Sequence, residues 1–113
     1  MAFLTEKFGD VVVVIPEGML KGDNETTQLE SELRRLIQSQ RKVVLDLRNT
    51  SHLNSVAIGM LAGIHTSAAN RGTQFCVCNV EKRIHNMLVI VRLVNVLSVY
   101  ESREEAIAAL GKM

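Results

Sequence analysis

The feature that most limits the fold of this chain is a short, nearly continuous apolar run at residues 43–47, between two segments of helical periodicity. A run of this length is typical of a central strand that is covered on both faces. In the segment before it, Asp23 or Asn24 could cap a helix. The apolar face of that helix consists of Leu29, Leu33, Leu36 and Ile37. Strands and helices that alternate in this way predict crossover connections, and hence mostly parallel strands.

The chain before the first helix predicts a β-hairpin. Residues 3–8 and 11–15 are rich in β-forming side chains, and Gly9 and Asp10 between them have the chemistry of a tight two-residue turn. Residues that break this pattern follow at Pro16, Gly18 and Gly22. We refer to residues 20–23, which lead into the first helix, as the first loop.

The second half of the chain continues the alternation. Residues 48–54 are polar and turn-like, and a helix begins near Ser55 with apolar positions at Val56, Met60, Ile64 and Ala68. That helix ends at Arg71 and Gly72. The later elements are a strand at 75–78, a helix with apolar positions Ile84, Met87, Leu88 and Val91, a strand at 96–100, and a helix at 102–110 that opens with the capping box of Ser102 and Glu105. The sequence predicts a single α/β domain over residues 1–113, with a mixed, mostly parallel sheet of about five strands and about four helices.

Composition and charge exclude several classes of function. The 113 residues carry 13 basic and 12 acidic side chains, so the net charge of +1 offers no long-range field for capturing nucleic acid or an anionic membrane. The first ten residues lack the basic start and apolar run of a signal peptide, and the most apolar stretch, 87–97, is too short to cross a bilayer. We therefore expect a cytoplasmic protein without nucleic-acid binding or membrane insertion.

Two stretches of the sequence carry a family resemblance. Residues 43–47 (VVLDL) are followed, after six residues, by residues 54–61 (NSVAIGML). This pattern resembles the signature of the STAS family, the domain of sulphate transporters and anti-sigma-factor antagonists. Further matches are Arg71 and Gly72 before the next strand, the helix over 81–91 and the closing helix. The resemblance spans nearly the whole chain and implies a STAS-like fold.

The resemblance also implies a function. The free-standing bacterial members are antagonists that bind an anti-sigma factor, often itself a serine kinase, and phosphorylation switches that binding off. The family's acceptor is a serine directly after an aspartate at the start of the second helix, which corresponds to Ser55, with Asn54 in place of the aspartate. The acidic residue that the family often has in the first loop corresponds to Asp23 if one residue is inserted, and Lys21 could instead favour a bound anion. We expect no enzymatic activity and no cofactor.

Phosphorylation at Ser55 also has a physical basis as a switch. A phosphate adds about 1.5 to 2 negative charges beside a helix N-terminus, whose free amides can hold it, whereas at an interface the same charge has to be desolvated. Asn54 keeps the size of aspartate but not its charge, so it could lessen repulsion of a phosphate or prevent recognition by a kinase. The expected partner-binding residues are Lys21, Asp23, Asn49, His52, Asn54, Ser55, Gly59 and His65.

Each of these residues also has a purely structural interpretation. Ser55 could be only a helix cap, and Asn49 and Asn54 could be loop residues whose side chains mimic backbone turns. The histidines lack the spacing of metal ligands, so we expect no metal site. They are His52, His65 and His85. Cys76 and Cys78 lie two apart in an apolar run, which predicts reduced core thiols on one face of a strand.

A second hypothesis comes from a different class of function. The chain could be a constitutive STAS subunit that is not phosphorylated, either in a signalling scaffold of like domains or in a lipid or ion transporter complex. Asn54 in place of the aspartate favours it, and other STAS domains would then be partners. The sequence leaves open the identity of the partner, the oligomeric state and whether a nucleotide or lipid is bound.

Overall fold

The structure is a computed structural model that describes residues 3–40, 42–90 and 98–111, apart from the side chains of residues 87–90 and 111. Its strands are β1 (Phe3–Phe8), β2 (Val11–Pro16), β3 (Gly18–Leu20), β4 (Lys42–Asp46), β5 (Thr50–Leu53), β6 (Gln74–Cys78) and β7 (Ser98–Tyr100). Its helices are α1 (Asn24–Ser39), α2 (Ser55–Arg71), α3 (Lys82–Ile90) and α4 (Arg103–Gly111). None of the helices in these ranges is long and apolar enough to cross a membrane.

The main sheet has five strands in the order β1-β2-β4-β6-β7. The predicted hairpin is confirmed, because β1 and β2 are antiparallel, Phe8 pairs with Val11, and Gly9 takes a φ of +62° in the turn. The pairs β2–β4, β4–β6 and β6–β7 are all parallel. The mixed, mostly parallel α/β fold that the sequence predicts is therefore confirmed.

Helices cover both faces of this sheet. On one face, α1 and α2 bury Leu33, Leu61 and Ile64 against the strands. On the other face, α4 packs over β4 and β6. Val43 and Leu45 point to the first face and Val44 to the second, and all three are fully buried. Burial on both faces is the reason that this strand is apolar throughout.

The ends of the helices follow the predicted signals. Asp23 is the N-cap of α1, and its side chain accepts a hydrogen bond from the Thr26 amide. Gly72 ends α2 with a φ of +73°, in the left-handed region that favours glycine. At the start of α4, the Ser102 hydroxyl accepts a hydrogen bond from the Glu105 amide at 3.1 Å. Local capping chemistry thus determines where these helices begin and end.

The structure corrects two predictions about the strands and helices. Segments expected to be loops contain β3 and β5, which pair in parallel as a separate two-stranded sheet. Val56, expected on the buried stripe of the second helix, is 60% exposed, whereas Met60, Ile64 and Ala68 are buried as predicted. Predicted positions outside the described side chains are Met87, Leu88, Val91 and Val96.

Candidate functional site

The two-stranded sheet places the first loop beside the start of α2. Leu20 and Leu53, which are paired in register, are fully buried and anchor both strands to the core. The Gly18 amide donates a hydrogen bond to the Asn49 carbonyl at 3.0 Å. Met19 and His52 form the neighbouring pair and are both exposed. The outer side of this small sheet is therefore a surface that the sequence pattern did not predict.

A buried carboxylate supports the connection between β4 and β5. Asp46 is fully buried, and its Oδ1 accepts hydrogen bonds from the Arg48 amide and from Nδ2 of Asn79, both at 3.0 Å. Its Oδ2 lies 3.6 Å from Nε of Arg48. Asp46 therefore links the β4–β5 connection to the β6–α3 connection and fixes the start of the segment that carries Asn49.

Asn54, and not Ser55, is the N-cap of α2. Its Oδ1 accepts a hydrogen bond from the Ala57 amide at 3.1 Å, and its Nδ2 donates one to the Lys21 carbonyl at 2.7 Å. Its backbone amide donates to the Leu20 carbonyl at 3.1 Å. The interpretation of Ser55 as the helix cap is therefore wrong, and Asn54 does more than mimic a backbone turn.

Ser55 is the first residue of α2, and it is exposed. Its hydroxyl makes no hydrogen bond to any residue in the described part of the chain. The first turn of α2 contains no acidic side chain. Gly59 lies one turn further on the same exposed face, and Val56 beside Ser55 is the most exposed large hydrophobic residue among those described.

The first loop lies against this turn of α2. Gly22 has a φ of +85°, and its amide donates a hydrogen bond to Oγ1 of Thr26 at 3.0 Å. A Cβ at Gly22 would lie 2.8 Å from Cγ1 of Val56, so the two residues are in close contact. The Lys21 side chain is exposed, whereas the Asp23 carboxylate is half-buried and occupied in capping α1.

These contacts bring a set of exposed residues to one end of the domain. We call Met19, Lys21, His52, Ser55, Val56 and Gly59 the loop–helix surface. Its two hydrophobic members, Met19 (46% exposed) and Val56, were missed at the sequence level. A second apolar stripe in α2, which begins one residue after the predicted one, could have shown that Val56 faces outward. That stripe consists of Ala57, Leu61, Ile64 and Ala68, all of which are buried.

Asn49 and His65 were also predicted to bind the partner, but they are not members of the loop–helix surface. Asn49 is exposed and lines a cleft of 560 Å³ with Arg48 and Ser51. His52 also lines a groove of 370 Å³ between β5 and α3. His65 is half-buried, ten residues after Ser55 and so about 15 Å further along α2. It lines a separate cavity of 160 Å³ with Phe75, Tyr100 and Leu110, so the structure does not bring His65 to the loop–helix surface.

The two cysteines lie away from this surface. Both are free and fully buried on the α4 face of the sheet. Burial raises the pKa of Cys76 to about 12. Burial, with the nearby charge of Asp46, also raises the pKa of Cys78 to about 12. The thiols are therefore protonated at neutral pH, as expected for core residues rather than redox-active ones.

Comparison with known proteins supports the predicted resemblance. A family model described as the STAS domain matches residues 3–106. The chain is 25% identical over 68 residues to a protein named anti-sigma F factor antagonist from Paenibacillus polymyxa. That match covers 60% of this chain and 58% of the relative, so it spans less than two thirds of the relative's length.

Solved structures have the same fold. The structure of an anti-sigma factor antagonist from Mycobacterium paratuberculosis is similar to this chain with a TM-score of 0.83 at 24% identity, over 96% of this chain and 92% of the other. The phosphorylated form of the Bacillus cell fate determinant SpoIIAA is similar with a TM-score of 0.74 at 17% identity, over 96% and 99% of the two chains. At these identities the similarities establish the fold.

Proposed function

Because this chain belongs to the STAS domain family, we propose that it is an anti-sigma-factor antagonist that acts in the cytoplasm. It binds an anti-sigma factor or a switch kinase through the loop–helix surface, and phosphorylation of Ser55 ends this binding. The observation that carries the proposal is the state of the Ser55 hydroxyl. It is exposed at the start of α2 and makes no hydrogen bond within the described part of the chain.

A regulatory serine has to be accessible, and its modification has to leave the fold intact. Asn54 provides the cap of α2, so a phosphate on Ser55 removes no capping hydrogen bond. The phosphate would lie at the positive end of the helix dipole, next to a first turn without acidic side chains. No base among the described residues hydrogen-bonds this hydroxyl, which favours a modified group over a catalytic nucleophile.

The surroundings of Ser55 explain why a phosphate would end binding. Met19 and Val56 provide exposed apolar area for a partner, and Val56 is the direct neighbour of Ser55. A partner that covers Val56 therefore also excludes water from Ser55. Leaving a charge buried and mispaired at an interface costs about 2–5 kcal/mol, which corresponds to a loss of affinity of about 30-fold or more.

The test is a comparison of binding by charge variants. Purified anti-sigma factors from the same organism are titrated by calorimetry against the wild type, Ser55→Ala and Ser55→Asp. Ser98→Asp is the matched control, since Ser98 is an exposed serine on β7 outside the loop–helix surface. We expect Ser55→Ala and Ser98→Asp to bind like the wild type, and Ser55→Asp to bind about 30-fold more weakly or worse. Equal binding by Ser55→Asp would contradict the switch.

A second measurement tests the modification itself. The mass of the Ser55-containing peptide, isolated from the organism's own cells in growth and under stress, reports the occupancy of a phosphate. An occupancy that changes with conditions supports regulation. A well-detected peptide that never carries a phosphate would favour the second candidate function.

That second candidate is a constitutive, unphosphorylated subunit of a STAS scaffold or of a lipid or ion transporter complex. The observation that favours it is another exposed apolar site, at Leu4 (55% exposed) and Phe8 (37% exposed) on β1. This strand pairs only with β2 in the described sheet. The hypothesis predicts a stable oligomer or hetero-complex that Leu4→Glu disrupts and Ser55→Asp leaves intact. Sedimentation velocity measures both outcomes.

A further inference from the structure

Asn54 uses both ends of its side-chain amide. The oxygen accepts a hydrogen bond from the Ala57 amide, and the nitrogen donates the 2.7 Å hydrogen bond to the Lys21 carbonyl, 33 residues earlier in the chain. An ionised aspartate could accept from Ala57 but has no proton to donate to a carbonyl. A serine could cap the helix, but its side chain has a single hydroxyl group, which cannot reach the Ala57 amide and the Lys21 carbonyl at the same time. The pair of contacts therefore requires an amide.

The first loop is held from its other side by α1. Asp23 caps that helix, and the Gly22 amide donates a hydrogen bond to the Thr26 hydroxyl. Towards α2, the Asn54 side chain makes the one side-chain hydrogen bond that reaches the first loop within the described residues. Without it, the backbone hydrogen bond to the Leu20 carbonyl and the contact between Gly22 and Val56 would remain.

We propose that Asn54 is a positioning residue that holds the first loop against α2, so that Lys21 and Ser55 are presented to the partner in one fixed arrangement. This inference rests on the proposed function and concerns the same surface. Asn54 achieves this without placing a second charge beside Ser55. An aspartate at position 54 would keep the cap of α2 but would set a carboxylate oxygen against the Lys21 carbonyl and release the loop.

Two substitutions separate this role from capping. Serine and aspartate are about as good N-caps as asparagine, so Asn54→Ser and Asn54→Asp should both retain α2. Neither can donate to the Lys21 carbonyl while capping. Asn70→Ser is the matched control, because Asn70 is an exposed asparagine at the other end of the same helix. The serine variant tests the lost contact without a new charge, and the aspartate variant tests both.

The first readout is hydrogen exchange at Gly22, measured by NMR without any partner. We expect Asn54→Ser and Asn54→Asp to speed exchange of the Gly22 amide by about fivefold to tenfold, and Asn70→Ser to leave it unchanged. Exchange of the Ala57 amide should stay slow in the serine and aspartate variants, since their caps remain. Unchanged exchange at Gly22 in both variants would overturn the proposal.

The second readout is affinity for the purified anti-sigma factor that binds the wild type most tightly. If the loop has to be in place for binding, the apparent Kd rises by the factor by which the competent population falls. We expect Asn54→Ser to weaken binding by the ratio of the competent populations, (1 + K′)/(1 + K), where K and K′ are the loop-opening constants that exchange gives for the wild type and the variant. The loss of affinity is therefore at most the fivefold to tenfold factor by which opening increases. A change in affinity that departs from this ratio would overturn the role in presenting the surface.

The proposed function can fail separately from this inference. If the wild type binds none of the purified anti-sigma factors, the proposed function and the role of Asn54 in that binding are both overturned. Exchange at Gly22 then still decides whether the contact holds the loop. If the wild type binds but the variants match it in both readouts, the proposed function stands and Asn54 is only a helix cap.

Discussion

Replacing Gly22 with alanine should destabilise this protein more than the same change at Gly18. Both glycines have a positive φ, +85° and +93°, so both changes place an L residue in an unfavourable region at a cost of about 1–2 kcal/mol. Their surroundings differ. A Cβ at Gly18 would meet no atom within 4 Å, whereas a Cβ at Gly22 would lie 2.8 Å from Cγ1 and 2.9 Å from Cβ of Val56. Gly18→Ala therefore controls for the backbone cost.

The additional cost at Gly22 comes from the contact with α2. Two carbon atoms are best separated by about 3.5–4.0 Å, so the new Cβ would be too close to Val56 by roughly 1 Å. The Cβ of Val56 is attached directly to the helix backbone, so a rotation of the side chain cannot relieve the clash. Overpacking of this kind costs about 1–3 kcal/mol. We expect Gly22→Ala to lower the free energy of unfolding by about 2–5 kcal/mol, and Gly18→Ala by about 1–2 kcal/mol.

Urea denaturation followed by circular dichroism measures both values by linear extrapolation. A double-mutant cycle with Val56→Gly isolates the contact, because the helix-propensity cost of the new glycine cancels in the cycle. Removing the Val56 side chain should recover about 1–3 kcal/mol of the Gly22→Ala loss. Equal destabilisation by Gly22→Ala and Gly18→Ala, or a coupling near zero, would refute the packing of the first loop on α2.

Further predictions concern Gly59, Asp46 and the two cysteines. Gly59→Ala should raise the free energy of unfolding in urea by about 1 kcal/mol, because alanine favours a helix and its Cβ would meet no atom within 4 Å. Gly59→Arg should block partner binding in calorimetry while circular dichroism stays unchanged. Asp46→Ala should lower the same free energy by about 2–3 kcal/mol, because two hydrogen bonds are lost, and Asp46→Asn, which keeps one acceptor, should cost less. Cys76 and Cys78 should react with a thiol reagent at pH 8 only when denaturant is added. Folding raises the pKa of both thiols from 9.0 to about 12, so their contribution to stability is complete below pH 9 and is lost as the pH rises to about 12. Urea denaturation at several pH values between 8 and 12 measures this loss.

Part of the candidate site could be predicted from the sequence. The family resemblance predicts phosphorylation at Ser55, and the expected surface already includes Lys21, His52 and Gly59. The structure adds Met19 and Val56 and places His65 elsewhere. Met19 was missed because β3 is a three-residue strand that follows Pro16, where glycine and proline predict a break.

The elements whose signals are local were determined by the sequence alone. The turn at Gly9 favours a glycine because its φ is positive. Asp23 caps its helix through its own side chain, and Gly72 ends its helix through its own backbone. The run at 43–47 is apolar because both of its faces are buried. Each of these depends on residues within a few positions of one another. Such patterns can be recognised without knowledge of the fold.

The arrangement of the loop–helix surface was decided only by the tertiary structure. The pairing of β3 with β5 and the hydrogen bond from Asn54 to the Lys21 carbonyl join segments about 33 residues apart. Neither segment has a periodic pattern of its own, because each strand is only three or four residues long and has a single buried hydrophobic residue, Leu20 in β3 and Leu53 in β5. Contacts of this kind depend on where the main sheet and α2 place both segments. For that reason the sequence predicted a loop at the site where the folded chain forms a second, smaller sheet.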